Sequence, residues 1–184
     1  MARRRTAIPD NRIPLEQAFD RYYPAIFCYF RYRGADADTA NDLASSTFEH
    51  ALESLGRFDP KKAQIQTWLF AIAHNLAINH WKADSNHPTI SLEELDLPEQ
   101  NNFQPEDSLI DVQDRQEILQ ALQHLDMRAI EIIALKFGGR LSNRQIAGLT
   151  DLSESNVGVI LYRSLLKLRT VLASSRTEVQ HEPR

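Results

Sequence analysis

Residues 141–170, LSNRQIAGLTDLSESNVGVILYRSLLKLRT, decide the fold of this chain. Ser142 and Gln145 stand three apart, the spacing of a capping box in which hydroxyl and amide each satisfy an orphan backbone donor. Ile146 and Ala147 then give a short apolar stripe, with Ala147 small enough for a second helix to cross closely. Thr150-Asp151-Leu152 makes a tight turn. Ser153 caps a second helix, and Glu154 suits the positive end of its dipole. Val157, Leu161, Ser164, Leu165 and Leu168 recur at the helical period and predict one buried face, while Ser155, Val159, Tyr162, Arg163 and Lys167 project mostly the other way. The pattern is a helix-turn-helix. Its outward row ends in cations, which suits a major groove: base edges first, phosphates after. An ordinary amphipathic hairpin with a solvated basic face is the bland alternative at this point.

Composition narrows the classes. Of 184 residues 42% are apolar, enough for packed cores, and six glycines argue against a turn-rich β protein. A single cysteine, Cys28, excludes an internal disulfide and a cysteine-cluster zinc site; it is expected to be a small buried hydrophobe. No apolar run approaches the roughly 20 residues of a bilayer span, and the basic start MARRRTAIPDNR has no apolar stretch behind it. A cytoplasmic protein without membrane insertion is expected. The net charge of −4 hides an asymmetry. Residues 1–82 carry +2, residues 115–184 carry +3, and residues 83–114 hold nine acids with no Lys or Arg. The acidity belongs to the middle.

Three amphipathic segments precede that acidic stretch. Leu15, Phe19, Tyr22 or Tyr23, Ile26, Phe27 and Phe30 form the first apolar face, in which Pro24 should kink or interrupt the helix and Gly34 should end it. Ala40, Leu43, Ala44, Phe48, Ala51, Leu52 and Leu55 form the second, with Asp36 or Asp38 near its cap. Trp68, Leu69, Ile72, Ala73, Leu76, Ala77 and Trp81 form the third. Together they predict a three-helix bundle. Periodicity then vanishes to about Pro105, in a stretch with Pro88, Pro98 and Pro105 that is expected to be extended or disordered. Helical pattern resumes with Ile118, Leu119, Leu122 and Leu125. A further helix, capped by Asp126, carries Ile130, Ile133, Ala134 and Phe137 and stops at Gly138-Gly139. The expected fold is all-α: two small helical lobes, a three-helix lobe and a C-terminal helix-turn-helix lobe, joined by an extended acidic linker. Some 25 linker residues reach about 80 Å when taut and average about 25–30 Å as a free coil, against a radius of gyration of about 12 Å for either lobe.

In order and spacing, Asn41-Asp42-Leu43 through Phe48, Gly56-Arg57-Phe58-Asp59, Trp68 through Ala77, the spacer and the helix-turn-helix carry a family likeness. From Leu15 to about Leu172 the chain resembles a sigma-70-type RNA polymerase sigma factor of the extracytoplasmic-function (ECF) class. The resemblance implies a basic tail at 1–14, sigma region 2 at 15–82, an acidic linker at 83–108, sigma region 4 at 109–174 and a tail at 175–184. It implies that the first lobe binds the clamp helices of core polymerase and melts the −10 element, and that the second reads the −35 element and docks on the flap. The linker would thread the main channel of the enzyme. The clamp-facing residues would be Asp42, Leu43, Phe48 and Glu49. Arg57, Phe58, Lys61, Lys62 and Gln64 would trap a flipped base, which needs polar edges and a stacking surface. Asn75, Asn79, His80 and Lys82 would face the upstream edge of the −10 element. In the −35 lobe Ser155, Asn156, Val159 and Tyr162 would meet bases, with Arg163, Lys167 and Arg169 on phosphates. Trp68 is expected in the core rather than as a base stack. His74 and His80 share no helical face and make a poor metal pair.

The chain departs from the family pattern at three places. Ser45-Ser46 stands where a Gln-Glu pair is frequent, Gly158-Val159-Ile160 where many members have Lys-Ser-Arg, and Asp151 where a turn glycine is usual. Val159 cannot hydrogen-bond a base edge but can pack on a thymine methyl. The resemblance implies no cofactor and no metal, and the sequence holds no H-E-x-x-H, phosphate-loop or nucleophile motif. Promoter DNA and core polymerase are the implied partners, with room for an anti-sigma factor. A sigma mimic that sequesters an anti-sigma factor and a stand-alone helix-turn-helix regulator are the alternative readings.

Overall fold

Asp36 and Gly34 show how local chemistry sets the first corner. Gly34 takes a left-handed backbone, φ 101°, and the next amide, Ala35 N, closes back on Phe30 O at 3.1 Å. Only a residue without Cβ adopts that conformation cheaply, so α1 (Leu15–Tyr32) ends there. Two residues on, Asp36 accepts from Thr39 N at 2.7 Å and starts α2 (Ala37–Ser54). The computed structural model describes residues 15–83 and 112–179. The linker at 84–111 and both tail ends lie outside them. Among the described residues every regular element is helical, as the periodicities predict.

The first lobe is α1, α2 and α3 (Ile65–Ala83). Pro24 falls inside α1 without interrupting it. Ala40, Ala44, Thr47 and Ala51 of α2 are fully buried, so a row of small side chains lets α1 cross α2 closely. Ile26, Phe27, Tyr29 and Phe30 from α1 and Leu69, Phe70, Ala73 and Ala77 from α3 complete this core. Each large side chain so buried contributes about 1.5–3 kcal/mol relative to exposure. Three sequence expectations fail at the rim. Leu52 is 64% exposed, Leu55 38% and Phe19 39%, because Ala51 and Phe48 already fill the inner face of α2. Cys28 is half-buried rather than enclosed.

The second lobe runs α4 (Val112–Leu122), α5 (Met127–Ile133), α6 (Asn143–Thr150) and α7 (Glu154–Val179). Asp126 caps α5, accepting from Ala129 N at 2.8 Å. After Ile133 the chain widens into a π turn, Ala134–Gly138. The wider turn shifts the register, and Phe137, expected on the buried stripe, is 50% exposed. In α7, Val157, Leu161 and Ser164 are buried as expected but Leu165 is 45% exposed. Leu165 lies about 80° round the helix from Val157, at the margin of the stripe.

The two lobes are in contact. The π turn packs on α1, and Leu135, Leu141, Ile146 and Val157 join Tyr29, Phe30 and Phe70 in one continuous apolar cluster.

Candidate nucleic-acid interface

Four surfaces bear the predicted site residues. On the first lobe a 3-10 turn, Leu55–Arg57, follows α2, and Phe58 N donates to Leu55 O at 3.1 Å. Asp59 then winds the loop: its carboxylate accepts from Lys61 N at 2.9 Å and its carbonyl from Lys62 N at 3.0 Å. This turn leaves Arg57, Lys61, Lys62 and Gln64 exposed. Phe58 behaves differently. It is half-buried, with its ring 4.8 Å from that of Trp68, which is itself half-buried rather than sealed in the core. The stacking surface of this loop is therefore an aromatic pair.

On α3, Asn75, Asn79 and Lys82 are exposed at helical spacing, one polar ridge along a single face. His80 is half-buried and meets Trp81 edge-on at 5.0 Å. His74 stands apart from both groups: it is buried and faces the second lobe.

On the second lobe both halves of the capping box form. Ser142 Oγ accepts from Gln145 N at 3.3 Å, and Gln145 Oε1 accepts from Ser142 N at 2.9 Å. Asp151 ends α6 in the left-handed region, φ 53° and ψ 30°, and Asn156 N donates to Ser153 Oγ at 3.2 Å. These local bonds fix the turn that aims α7. Ser155, Asn156, Val159, Tyr162, Arg163, Lys167 and Arg169 are all exposed along it, while Gly158 and Ile160 are half-buried. The helix offers hydroxyl, amide, apolar and cationic groups to a groove and keeps Val157 and Leu161 inside.

The predicted clamp-facing set divides. Asp42 and Glu49 are exposed and Leu43 is half-buried, but Phe48 is only 7% exposed. It sits beneath Phe19, ring centroids 4.8 Å apart, with Tyr23 at 6.0 Å. Phe19, Leu52 and Leu55 present the apolar surface there, which periodicity had assigned inward.

Charge at the buried edge of the first lobe is organised by neighbours. Arg31 Nη1 donates to Ala35 O at 2.6 Å, and burial lowers its pKa. Asp36 is held below the ordinary carboxylate range, chiefly by hydrogen bonds from Thr39. Burial pushes the Tyr29 hydroxyl up. Glu131 of α5 crosses to this edge, its Oε1 2.7 Å from His74 Nδ1 and 3.6 Å from Arg33 Nη1. Burial raises its pKa, but His74 and Arg33 together outweigh burial and hold it below the usual value. Sequence reading missed Glu131; nothing in its local pattern marks it. Among the described residues no cluster of His, Cys, Asp and Glu could hold a metal ion, and no helix is long and apolar enough to cross a membrane.

An all-α pair of lobes, one bearing a polar ridge and basic loop and the other a helix-turn-helix, defines a DNA-binding protein of the transcription-initiation class. Comparison with known proteins gives the family. Sigma-70 region 2 matches residues 18–86 and Sigma-70, region 4 matches residues 115–168. The chain belongs to the sigma-70 family, in its ECF class. It is 30% identical over 169 residues to RNA polymerase sigma factor YlaC of Bacillus subtilis, covering 91% of this chain and 97% of that protein. It is 28% identical over 154 residues to ECF RNA polymerase sigma factor BldN of Streptomyces coelicolor, covering 84% of this chain but 58% of that one. In fold it is similar to the sigma factor RpoE in its complex with the anti-sigma factor NepR from Bartonella quintana. The TM-score is 0.66 at 17% identity, over 86% of this chain and 96% of that one.

Proposed function

We propose that this chain is a promoter-specificity subunit without catalysis of its own, acting in the cytoplasm with core RNA polymerase. The observation that carries the proposal is the pairing, in one chain, of matches to sigma regions 2 and 4 with exposed polar and cationic rows on both lobes. Region 2, taken as 15–82, binds the clamp helices through Asp42, Leu43 and Glu49. Phe48 acts there from beneath Phe19 rather than by direct exposure. Arg57, Lys61, Lys62 and Gln64 receive an unstacked base of the −10 element, with Phe58 braced by Trp68 as the stacking floor. Asn75, Asn79, His80 and Lys82 line the upstream edge.

Region 4, taken as 109–174, lays α7 in the major groove of the −35 element. Ser155, Asn156, Val159 and Tyr162 meet base edges, and Arg163, Lys167 and Arg169 meet phosphates. The acidic linker at 83–108 lies in a channel built for nucleic acid. Two small, mildly basic lobes bind duplex DNA weakly alone and with steep salt dependence, so tight binding belongs to the holoenzyme. An anti-sigma factor is a natural further partner.

Run-off transcription with core polymerase on promoters of the source genome tests the proposal. Start-specific transcripts should depend on this chain. Asn75→Ala should impair duplex opening more than initial binding, and Arg163→Ala should weaken binding across many sequences. Binding to an anti-sigma factor with no binding to core polymerase would instead make the chain a sigma mimic.

A further inference from the structure

The base-reading half of α7 carries no cation. From Glu154 to Tyr162 the helix reads ESNVGVILY, and its first positive charge, Arg163, stands about 14 Å along the axis from Glu154. A helix in a major groove runs between two walls of phosphate, so this stretch neutralises none of them where the bases are read. The neighbouring helix holds the charge. Asn143, at the start of α6, lies against the middle of α7: a Cβ on Gly158 would stand 3.8 Å from Asn143 Nδ2. Lys136 Nζ donates to Asn143 Oδ1 at 2.9 Å. An ammonium can only donate, so the amide oxygen must face Lys136 and the NH2 is turned toward Gly158. Arg144 follows Asn143 and Arg140 precedes it by three residues, and both are exposed.

Both arginines sit where they work against the fold. Arg140 holds φ 52°, a left-handed backbone that glycine adopts freely and a residue with Cβ does not. Arg144 lies in the first turn of α6, which holds no acid, and so faces the positive end of the helix dipole. Among the described residues no carboxylate pairs with Arg144. The start of α6 needs neither cation, because Ser142 and Gln145 already close its capping box. Strain and misplaced charge kept at an exposed edge, beside a recognition helix, point to a ligand that uses them.

We propose that Asn143, Arg144 and Arg140 form a backbone clamp. It grips phosphate of the −35 duplex beside Gly158 and Val159, and supplies from α6 the charge that the first turns of α7 lack. The clamp rests on the reading above, in which α7 lies in that groove. Gly158 serves it by placing no side chain between the phosphate and the Asn143 amide. Lys136 is a positioning residue: it holds the amide in the orientation that donates. Side chains carry the grip, since the capping box leaves the helix end itself occupied.

Holoenzyme assembled from the full chain and core polymerase is titrated against a labelled promoter duplex between about 50 and 200 mM salt, and each free chain is unfolded in urea. Arg144→Gln and Arg140→Gly should each lower the slope of log affinity against log salt by about 0.9, so their deficit shrinks about 3.5-fold across that range. Asn143→Asp sets a carboxylate against the phosphate and should weaken binding about tenfold or more. All three should leave the urea midpoint unchanged or higher, because each removes strain or improves the charge at the helix start. Binding and stability that fall together would make these residues structural and overturn the clamp. In an Asn143→Ala background Lys136→Met should cost no further affinity; a further loss overturns its positioning role. Replacing single −35 phosphates by neutral methylphosphonates locates the grip: at one position the parent should lose affinity and Arg144→Gln should lose none. Equal losses in both proteins at every position overturn the contact. Arg163→Ala separates the two readings. If it lowers the salt slope while Arg144→Gln and Arg140→Gly do not, the clamp fails and the −35 reading stands. If none of the three lowers it, the −35 reading fails and takes the clamp with it.

Discussion

Asp151 offers the sharpest test of how this chain builds its reading head. It holds φ 53° at the corner between α6 and α7, where the family usually has glycine. A left-handed backbone costs a residue with Cβ about 1–2 kcal/mol, and Asp is at the low end because its short polar side chain can bond locally. Asp151→Gly removes that cost but adds flexibility to the unfolded chain, which takes back about 0.4–1 kcal/mol. The net gain should be no more than about 0.5 kcal/mol. Asp151→Ala should lose about 1 kcal/mol, and Asp151→Val about 2 kcal/mol, since a β-branched side chain fits this region worst. At about 2–4 °C per kcal/mol for a chain of this size, the midpoints should fall in the order Gly, Asp, Ala, Val across about 5–10 °C. Calorimetry or urea unfolding with an unchanged m value reads the series. The Gly variant should transcribe as well as the parent, because the corner keeps its shape. Equal stability of Asp151→Val and Asp151→Gly would refute the reasoning, for then the left-handed corner is not what the turn demands.

Other outcomes follow from the same contacts. Ser142→Ala removes one half of the capping box and should cost about 1 kcal/mol in urea unfolding, and it should loosen the cross-lobe bond of Gln145 by freeing that side chain. Arg163→Ala and Lys167→Ala should each lower the slope of log affinity against log salt by about 0.9 in holoenzyme binding to duplex promoter. Phe19→Ala should weaken core polymerase binding more than Leu43→Ala, since Phe19 is the exposed face of the Phe48 cluster; a pull-down titration reads this, and equal loss would return the role to Leu43. Acid should remove what Glu131 contributes to the fold: its carboxyl is held below the ordinary value in the folded chain, so that contribution is full above the ordinary carboxylate range and is lost as pH falls through the lowered value, and urea unfolding against pH should show a smaller acid loss in Glu131→Gln than in the parent.

What the sequence disclosed and what it hid divide by range. Asp126, Ser142 and Ser153 were legible as caps, and the cap of α2 was narrowed to Asp36 or Asp38, because a cap is settled within three or four residues, whatever the rest of the chain does. The helical stripes were legible along their centres and misled at their margins, as at Leu52 and Leu165, and at the π turn Ala134–Gly138, which rotates Phe137 outward and which no local pattern announces. The outward row of α7 was legible from the helical period, whereas the site residues on α3 and the Arg57 loop needed the family likeness to be found at all, since exposed Asn and Lys there mark no role by themselves. The cross-lobe contact was hidden in a stronger sense. Gln66 and Gly139 are 73 residues apart, and Thr67 and Gln145 are 78 apart, with the acidic linker between them. Gln145 was already explained as a cap and Gly138 as a helix stop, and Glu131 drew no reading at all. Each residue satisfies its local rule and makes a second contact that only the packed lobes bring into being.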